Sequence, residues 1–195
     1  FPAICHAYVQ ESILKRAQAA GLLDVQVHNI RDYAPGKHAV TDDLPYGGGG
    51  GMVMKPEPVF NAVEAVLGPA GSGREEHGLR QPPILLMTPQ GRPFTQAVAQ
   101  ALSEQPRLAL ICGRYEGFDE RVHDHLATDV VSIGPYVIAG GELAAMVVAA
   151  AGVPVVKHGA RAMGKEGGAI VLIGSASGTR PAAGAAAYST SKAGV

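Results

Sequence analysis

A chain of 195 residues, 47% hydrophobic and 17% charged with a formal net charge of −1, has enough apolar content for one packed domain, alone or with an appendage. No apolar run approaches the roughly 20 residues that a membrane span needs, and the best candidate, Leu143 to Val156, is bounded by Glu142 and interrupted by Gly152 and Pro154, so no membrane partner is expected. Cys5 and Cys112 lie far apart and outside any C-x-x-C pair, which excludes a zinc knuckle or a disulfide-stapled secreted fold and points to a cytoplasmic enzyme.

The chain opens on Phe1 with no charged leader, and a start upstream of it is expected. Val9, Ile13, Leu14 and Ala17 recur at helical spacing and predict a helix over residues 8 to 20, stopped by Gly21. Val25, Val27 and Asn29-Ile30 read as a short strand. From Arg31 to Gly51 the sequence has no period, only Pro, Gly, Asp and His, and an irregular stretch of that length is a candidate functional loop. Pro56 to Leu67 reads as a helix. The Gly/Pro-rich stretch from Gly68 to Pro83 reads as a mobile surface loop.

A pattern then repeats three times: an apolar strand, a glycine-bearing loop and a helix. The pairs are "ILLM" with "TPQGR", "LALIC" with "GRYEG", and "VVSI" with "GPYVIAGG". Such alternation predicts an α/β fold, a parallel sheet with helices on both faces. Ligands of such sheets bind at the carboxyl ends of the strands, where all three loops fall, so the loops could converge on one ligand.

Charge and composition change near residue 150. Residues 1 to 150 hold 11 Lys and Arg against 16 Asp and Glu, a balance of −5, while 151 to 195 hold 5 against 1. In that tail 20 of 45 residues are Ala or Gly, and one strand, "AIVLI" at 169 to 173, is predicted. Two phosphate-loop patterns fail. Gly47 to Gly51 ends on Met52 where G-x-G-x-x-G needs glycine, and "GARAMGKE" has Glu166 where a magnesium-holding Ser or Thr belongs. His123 and His125 of "VHDH" read as solvated surface, so no metal is expected, and Cys112, at a strand end, reads as packed.

"DDLPYGGGGGMVMKPEP", "TPQGR", "CGRYEGFDERV" and "SIGPYVIAGGE" occur in the order and at the spacing found in bacterial tRNA (guanine-N1)-methyltransferases. Residues 1 to about 148 resemble that family, the knotted SPOUT class that methylates the guanine 3′ of the anticodon. The resemblance implies a C-terminal trefoil knot, S-adenosylmethionine as cofactor, tRNA as partner, and an active site at a homodimer interface. Carried over by position, the cofactor residues are Thr88, Pro89 and Gly91; Gly113, Tyr115 and Gly117; and Ile133, Gly134, Pro135, Tyr136, Val137, Ile138, Gly140 and Gly141. Pro135 stands where the family usually has Asp. Glu116 takes a positioning role beside the methyl donor and target guanine, and Tyr46 with Gly47, Gly48 and Gly49 covers the target base. Asp119, Glu120 and Arg121 cap the next helix. The family's general base, an aspartate helped by an arginine beyond the knot, has no equivalent place in this chain. The first strand and the tRNA-gripping C-terminal domain are likewise expected to be missing. Arg92, Arg114 and Arg121 are candidate phosphate contacts, although a balance of −5 is the opposite of a basic nucleic-acid footprint.

The tail from about Val155 resembles the middle of a short-chain dehydrogenase. Ser175 precedes Tyr188 by 13 residues and Lys192 follows it by four, the Ser, Tyr, Lys spacing of that family. The resemblance gives Lys192 the role of lowering the tyrosine pKa and Ser175 that of polarising a carbonyl. The glycine-rich nucleotide fingerprint is missing, so the set is expected to be vestigial. Two units follow from this reading, a methyltransferase domain at 1–150 and a foreign α/β fragment at 151–195.

Overall fold

The computed structural model of the chain describes residues 1–68, 82–159 and 168–174. Most of the expected Gly/Pro-rich loop, and the Ser175, Tyr188 and Lys192 set, lie outside the described residues. Five parallel strands build one sheet in the order β1 (Leu23–Asn29), β7 (Gly168–Gly174), β5 (Arg107–Cys112), β4 (Ile84–Pro93) and β6 (Asp129–Ser132). A small antiparallel pair, β2 (Asp42–Asp43) with β3 (Val53–Met54), stands apart from it.

The strands are apolar on both faces because both faces are covered. Side chains alternate across a strand, and here both alternating sets are buried. Leu85, Met87, Leu108, Leu110, Ile170 and Leu172 point into one core with α1 (Pro2–Val9), α2 (Ser12–Ala19), α4 (Gln96–Ser103) and α6 (Gly141–Gly159). Ile84, Leu86, Ala109, Ile111, Val171 and Ile173 point into the other, which α3 (Pro56–Leu67) and α5 (Glu120–His125) cover. The expected three-layer α/β architecture is the one observed. No helix among the described residues is long and apolar enough to cross a membrane.

Four local expectations are corrected. The helix predicted over 8 to 20 is two helices. Pro2 sits in the first turn of α1, where its missing N–H costs nothing. That helix ends at Gln10, and Glu11 is extended at φ −123° before α2 begins. The break lets Val9 and Leu14, both 2% exposed, reach one core from two helices. Gly21 does end α2, at φ 67°, with Leu22 N–H bonded to Ala17 O and Gly21 N–H to Gln18 O, the paired closure of a helix whose next residue is left-handed.

The strand read at 84 to 87 continues to Pro93. Met87 and Arg92 both pair with Val131, so residues 88 to 91 form a bulge within β4 rather than a loop after it. The region from Arg31 to Gly51 is also more ordered than its composition suggests, with a 3₁₀ turn over Ile30–Tyr33 and the β2–β3 pair carrying the glycine run at its tip. Finally, "AIVLI" does not stand off with the tail. It is β7, between β1 and β5 in the middle of the sheet.

Leu110 is fully buried on β5, between β7 and β4. Leu110→Ala is expected to destabilise the chain by about 2 to 5 kcal/mol, through lost burial plus a residual cavity, as read from urea unfolding midpoints.

Candidate functional site

Strands β4, β5 and β6 are neighbours in the sheet, and the chain bulges or turns near the same end of each, so three peptide segments meet at one edge. Together they line an open cleft of about 150 Å³. Its floor is the strand end itself, Met87 and Val131, and the first turn of α6 closes one side with Gly141 and Ala144.

Each segment is held by specific bonds. The β4 bulge contributes Thr88, Pro89 and Gln90, with the Thr88 hydroxyl bonded to the Gln90 side chain. Its far side is anchored where Arg92 Nε donates to both carboxylate oxygens of Asp129 at 3.0 Å. Residues 113 to 118 follow β5. Tyr115 there has φ 58°, an uncommon left-handed conformation for a side-chain-bearing residue, and Gly117 has φ 116°. Residues 133 to 141 follow β6 and are shaped by Ser132, whose hydroxyl donates to Gly134 O at 2.8 Å and accepts from Gly134 N–H at 3.2 Å. Tyr136 bonds through its hydroxyl to Ile133 O at 3.3 Å. The second and third segments are tied directly, Gly141 N–H to Gly113 O at 2.8 Å.

Glycine is required at specific places. A β-carbon on Gly113 would overlap the Phe118 ring, and one on Gly134 would overlap Tyr136. One on Gly141 would stand 3.0 Å from the Cys112 backbone. The cleft wall is therefore largely peptide backbone, whose N–H and C=O groups a ligand can approach closely.

Under the wall lies a buried ion pair. Glu142, 2% exposed in the first turn of α6, accepts from Arg114 Nε at 2.9 Å. Arg114 also donates to Ala139 O at 3.3 Å, and its guanidinium stacks 4.0 Å over the Phe1 ring. The pair joins the second segment to the third from behind, and a carboxylate at a helix N-terminus is favoured by the helix dipole. Burial pushes the neighbouring Cys112 thiol well above its ordinary value, so it is a protonated packing group rather than a nucleophile.

The β2–β3 flap is stitched to the cleft by main-chain bonds. Glu116 N–H reaches Met52 O at 3.1 Å, Met54 N–H reaches Gly117 O at 2.9 Å, and Asp119 N–H reaches Met54 O at 3.0 Å. Gly51 packs against the Glu116 side chain so closely that a β-carbon would stand 2.7 Å from its Cγ. Beyond that contact the flap is open. Gly47, Gly48 and Gly49 all have positive φ, and Tyr46 is 92% exposed.

Of the residues expected at a cofactor site, Thr88, Pro89, Gly113, Tyr115, Gly117, Ile133, Gly134, Tyr136, Val137, Ile138, Gly140 and Gly141 line the cleft, as does Glu116. Gly91 does not, because it packs against the Val131 backbone of β6. Pro135 is exposed and also outside the lining, as are Tyr46 and Gly47 to Gly49. Asp119 caps α5 as expected, accepting from Arg121 N–H at 3.1 Å. The three arginines considered for phosphate are engaged by carboxylates: Arg92 by Asp129, Arg114 by Glu142 and Arg121 by Asp119. Glu120, His123 and Asp124 cluster on the exposed side of α5, and none lines the cleft. Gln90 falls in the expected loop from Thr88 to Gly91 and lines the cleft, whereas Phe118, Ser132 and the supporting Glu142 were not expected at the site from sequence. The available signals were a serine two residues before Gly134 and a lone acid opening an otherwise apolar helix.

The family model for "tRNA (Guanine-1)-methyltransferase TrmD" matches residues 1–167, most of the chain. The chain belongs to this family. It is 52% identical over 148 residues to a tRNA (guanine-N(1)-)-methyltransferase of Dehalococcoides mccartyi, covering 76% of this chain and 56% of that protein. Against the protein of the same description from Symbiobacterium thermophilum it is 56% identical over 147 residues, 75% of this chain and 57% of the other. The crystal structure of the tRNA (m1G37) methyltransferase from Aquifex aeolicus superposes with a TM-score of 0.64 at 36% identity, over 81% of this chain and 65% of that one. The chain thus spans just over half the length of the curated relatives it matches. The family match runs past the composition change near residue 150 and ends before β7.

Two outcomes test the supports of the cleft. Arg114→Ala removes the hydrogen-bonded partner of the buried Glu142 carboxylate, leaving the Phe1 ammonium at 4.0 Å, and is expected to destabilise by roughly 1 to 3 kcal/mol, with much of the loss recovered in the Arg114→Ala/Glu142→Leu double variant, in a denaturation cycle. Hydrogen bonding from Arg92 holds the Asp129 carboxyl below its ordinary value near 3.8. A depressed folded-state pKa adds stability above the unfolded value that is lost as pH falls through the folded one. Asp129→Asn should therefore flatten the decline of the melting temperature below about pH 4.

Proposed function

We propose that the cleft is the methyl-donor site of a tRNA (guanine-N1)-methyltransferase and that its ligand is S-adenosylmethionine. The observation that carries this reading is the convergence of residues 88 to 90, 113 to 118 and 133 to 141 on one backbone-walled cleft. The backbone-rich walls of the last two segments suit an adenine, and Ile133, Ile138 and the Tyr136 ring supply apolar and aromatic walls. When bound, this cofactor supplies a methyl group already activated on a sulfonium.

What the protein adds is alignment and a path for the N1 proton. Glu116 fits a positioning role at the cleft rim, because its main chain bonds to the flap and its side chain touches Gly51. A carboxylate there can accept hydrogen bonds from the guanine edge. Tyr46 with Gly47, Gly48 and Gly49 is the segment that folds over the base, since glycines at positive φ let the flap change shape without side-chain clash.

A second copy of the chain is the partner we assign to the apolar face beside the cleft. Leu143 and Val147, one turn apart on α6, are 56% and 44% exposed, and Val137 is 64% exposed. The adjacent α1 adds Ile4 and Tyr8 with the same spacing. We further propose the trefoil knot of the SPOUT class, tRNA as the substrate with the guanine 3′ of the anticodon as the target, and the cytoplasm as the place of action. The resemblance of 155 to 195 to short-chain dehydrogenases, with Ser175, Tyr188 and Lys192, is read as a second ancestry without its own nucleotide site, joined near residue 150.

Calorimetry separates these readings. S-adenosylmethionine is expected to bind the full chain, and Gly113→Ala, which displaces the Phe118 ring, to weaken it at least tenfold, while NADH gives no heat. No binding of S-adenosylmethionine would end the first reading. Saturable NADH binding weakened by Tyr188→Phe or Lys192→Ala would favour the second.

A further inference from the structure

The family match ends at residue 167, yet the next seven residues form an interior strand of the sheet. β7 pairs with β1 from Leu23 opposite Gly168 to Asn29 opposite Gly174. On its other side it pairs with β5 from Arg107 opposite Ala169 to Cys112 opposite Gly174. Its side chains are buried to both faces, Ile170 at 7%, Val171 and Leu172 at 1% and Ile173 at 0%.

Both neighbours belong to the matched span. Strands in a sheet lie about 4.8 Å apart, so with β7 absent β1 and β5 would face each other across a slot one strand wide. Each would present a ladder of unpaired backbone groups between two apolar cores, which a folded chain does not tolerate. The slot must be filled, and what it demands is mostly main chain: an extended segment, parallel, apolar on both faces and free of proline. Recognition by main-chain ladder bonds is tolerant of sequence within those limits.

We propose that the slot between β1 and β5 is a strand-acceptor site and that residues 168–174, which come from outside the matched family span, occupy it as a surrogate core strand. The occupant also props the cleft. A β-carbon built on Gly174 stands 3.4 Å from that of Cys112 and 4.0 Å from Glu142 Cγ, so the strand ends against the two residues behind Gly113 and Arg114. The ligand class of the acceptor is thus a short apolar β-strand, here supplied in cis.

The geometry supplies a direct test. A β-carbon separation near 3.4 Å is close to that of a disulfide, about 3.5 to 4.5 Å. When the full-length Gly174→Cys variant is refolded from denaturant in a glutathione redox buffer, so that Cys112 is accessible before the core closes, position 174 should link to Cys112 within one chain, as mapped by peptide mass spectrometry. No link, or a link only between chains, would overturn occupation in cis. For the acceptor itself, Val171→Pro should raise exchange of the β1 and β5 amides at least tenfold. A lysine-flanked GAIVLIG peptide added in trans should restore their protection, and the same peptide with proline for valine should not. Unchanged protection in the variant, or no rescue by the peptide, would overturn the acceptor. Should Val171→Pro fail to fold, the disulfide decides alone.

Discussion

Backbone hydrogen bonds in a parallel sheet buried on both faces have nowhere to go but the neighbouring strand. That constraint organises the molecule. It forces side chains of β4, β5 and β7 to be apolar in both alternating sets, recruits helices to two faces, and makes the centre of the sheet the most expensive place to leave a gap. It also brings β4, β5 and β6 to one edge side by side, so that bulge and loops arrive at the same place without any long-range instruction of their own.

The cleft that results is made of main chain more than of side chains. Gly113 and Gly134 are placed where a β-carbon would strike an aromatic ring, and Gly141 where it would press on the β5 backbone. Behind this thin wall the chemistry changes to charge: Glu142, shielded from water, pairs with the half-buried Arg114, and together they tie the two glycine loops to each other. A wall without side chains cannot be packed from within, so it is braced from behind. The flap is braced differently, by three main-chain bonds to the cleft at its base, while at its glycine tip Gly48 N–H bonds locally to Pro45 O, which leaves the rim adjustable where the floor is not.

β7 lies beyond the matched residues yet inside the sheet. By composition the residues after 150 differ from those before, and the family match stops at 167. The sheet does not register that boundary, because a strand slot reads extension, direction and apolarity. Five consecutive residues, Ala169 to Ile173, meet those conditions.

Local pattern determined much in advance. The apolar runs of β4 and β5, the Pro56 to Leu67 helix and the Gly21 stop follow from periodicity and capping chemistry over a few residues, the Asp119 cap follows from the family resemblance, and the three glycine loops could be named as one site because strand ends in such sheets coincide. What only the tertiary structure decided involves partners distant in sequence. The sequence could not place the β4 bulge, since it depends on Arg92 finding Val131 and Asp129 across the sheet. It could not distinguish a free Arg114 from one locked to Glu142, 28 residues away, nor break the helix at Gln10 and Glu11, where Val9 and Leu14 seek one core. Least of all could it seat "AIVLI" between β1 and β5. The hydrogen-bonding appetite of a strand is visible in its residues, but the vacancy that satisfies it exists only once the rest of the chain has folded.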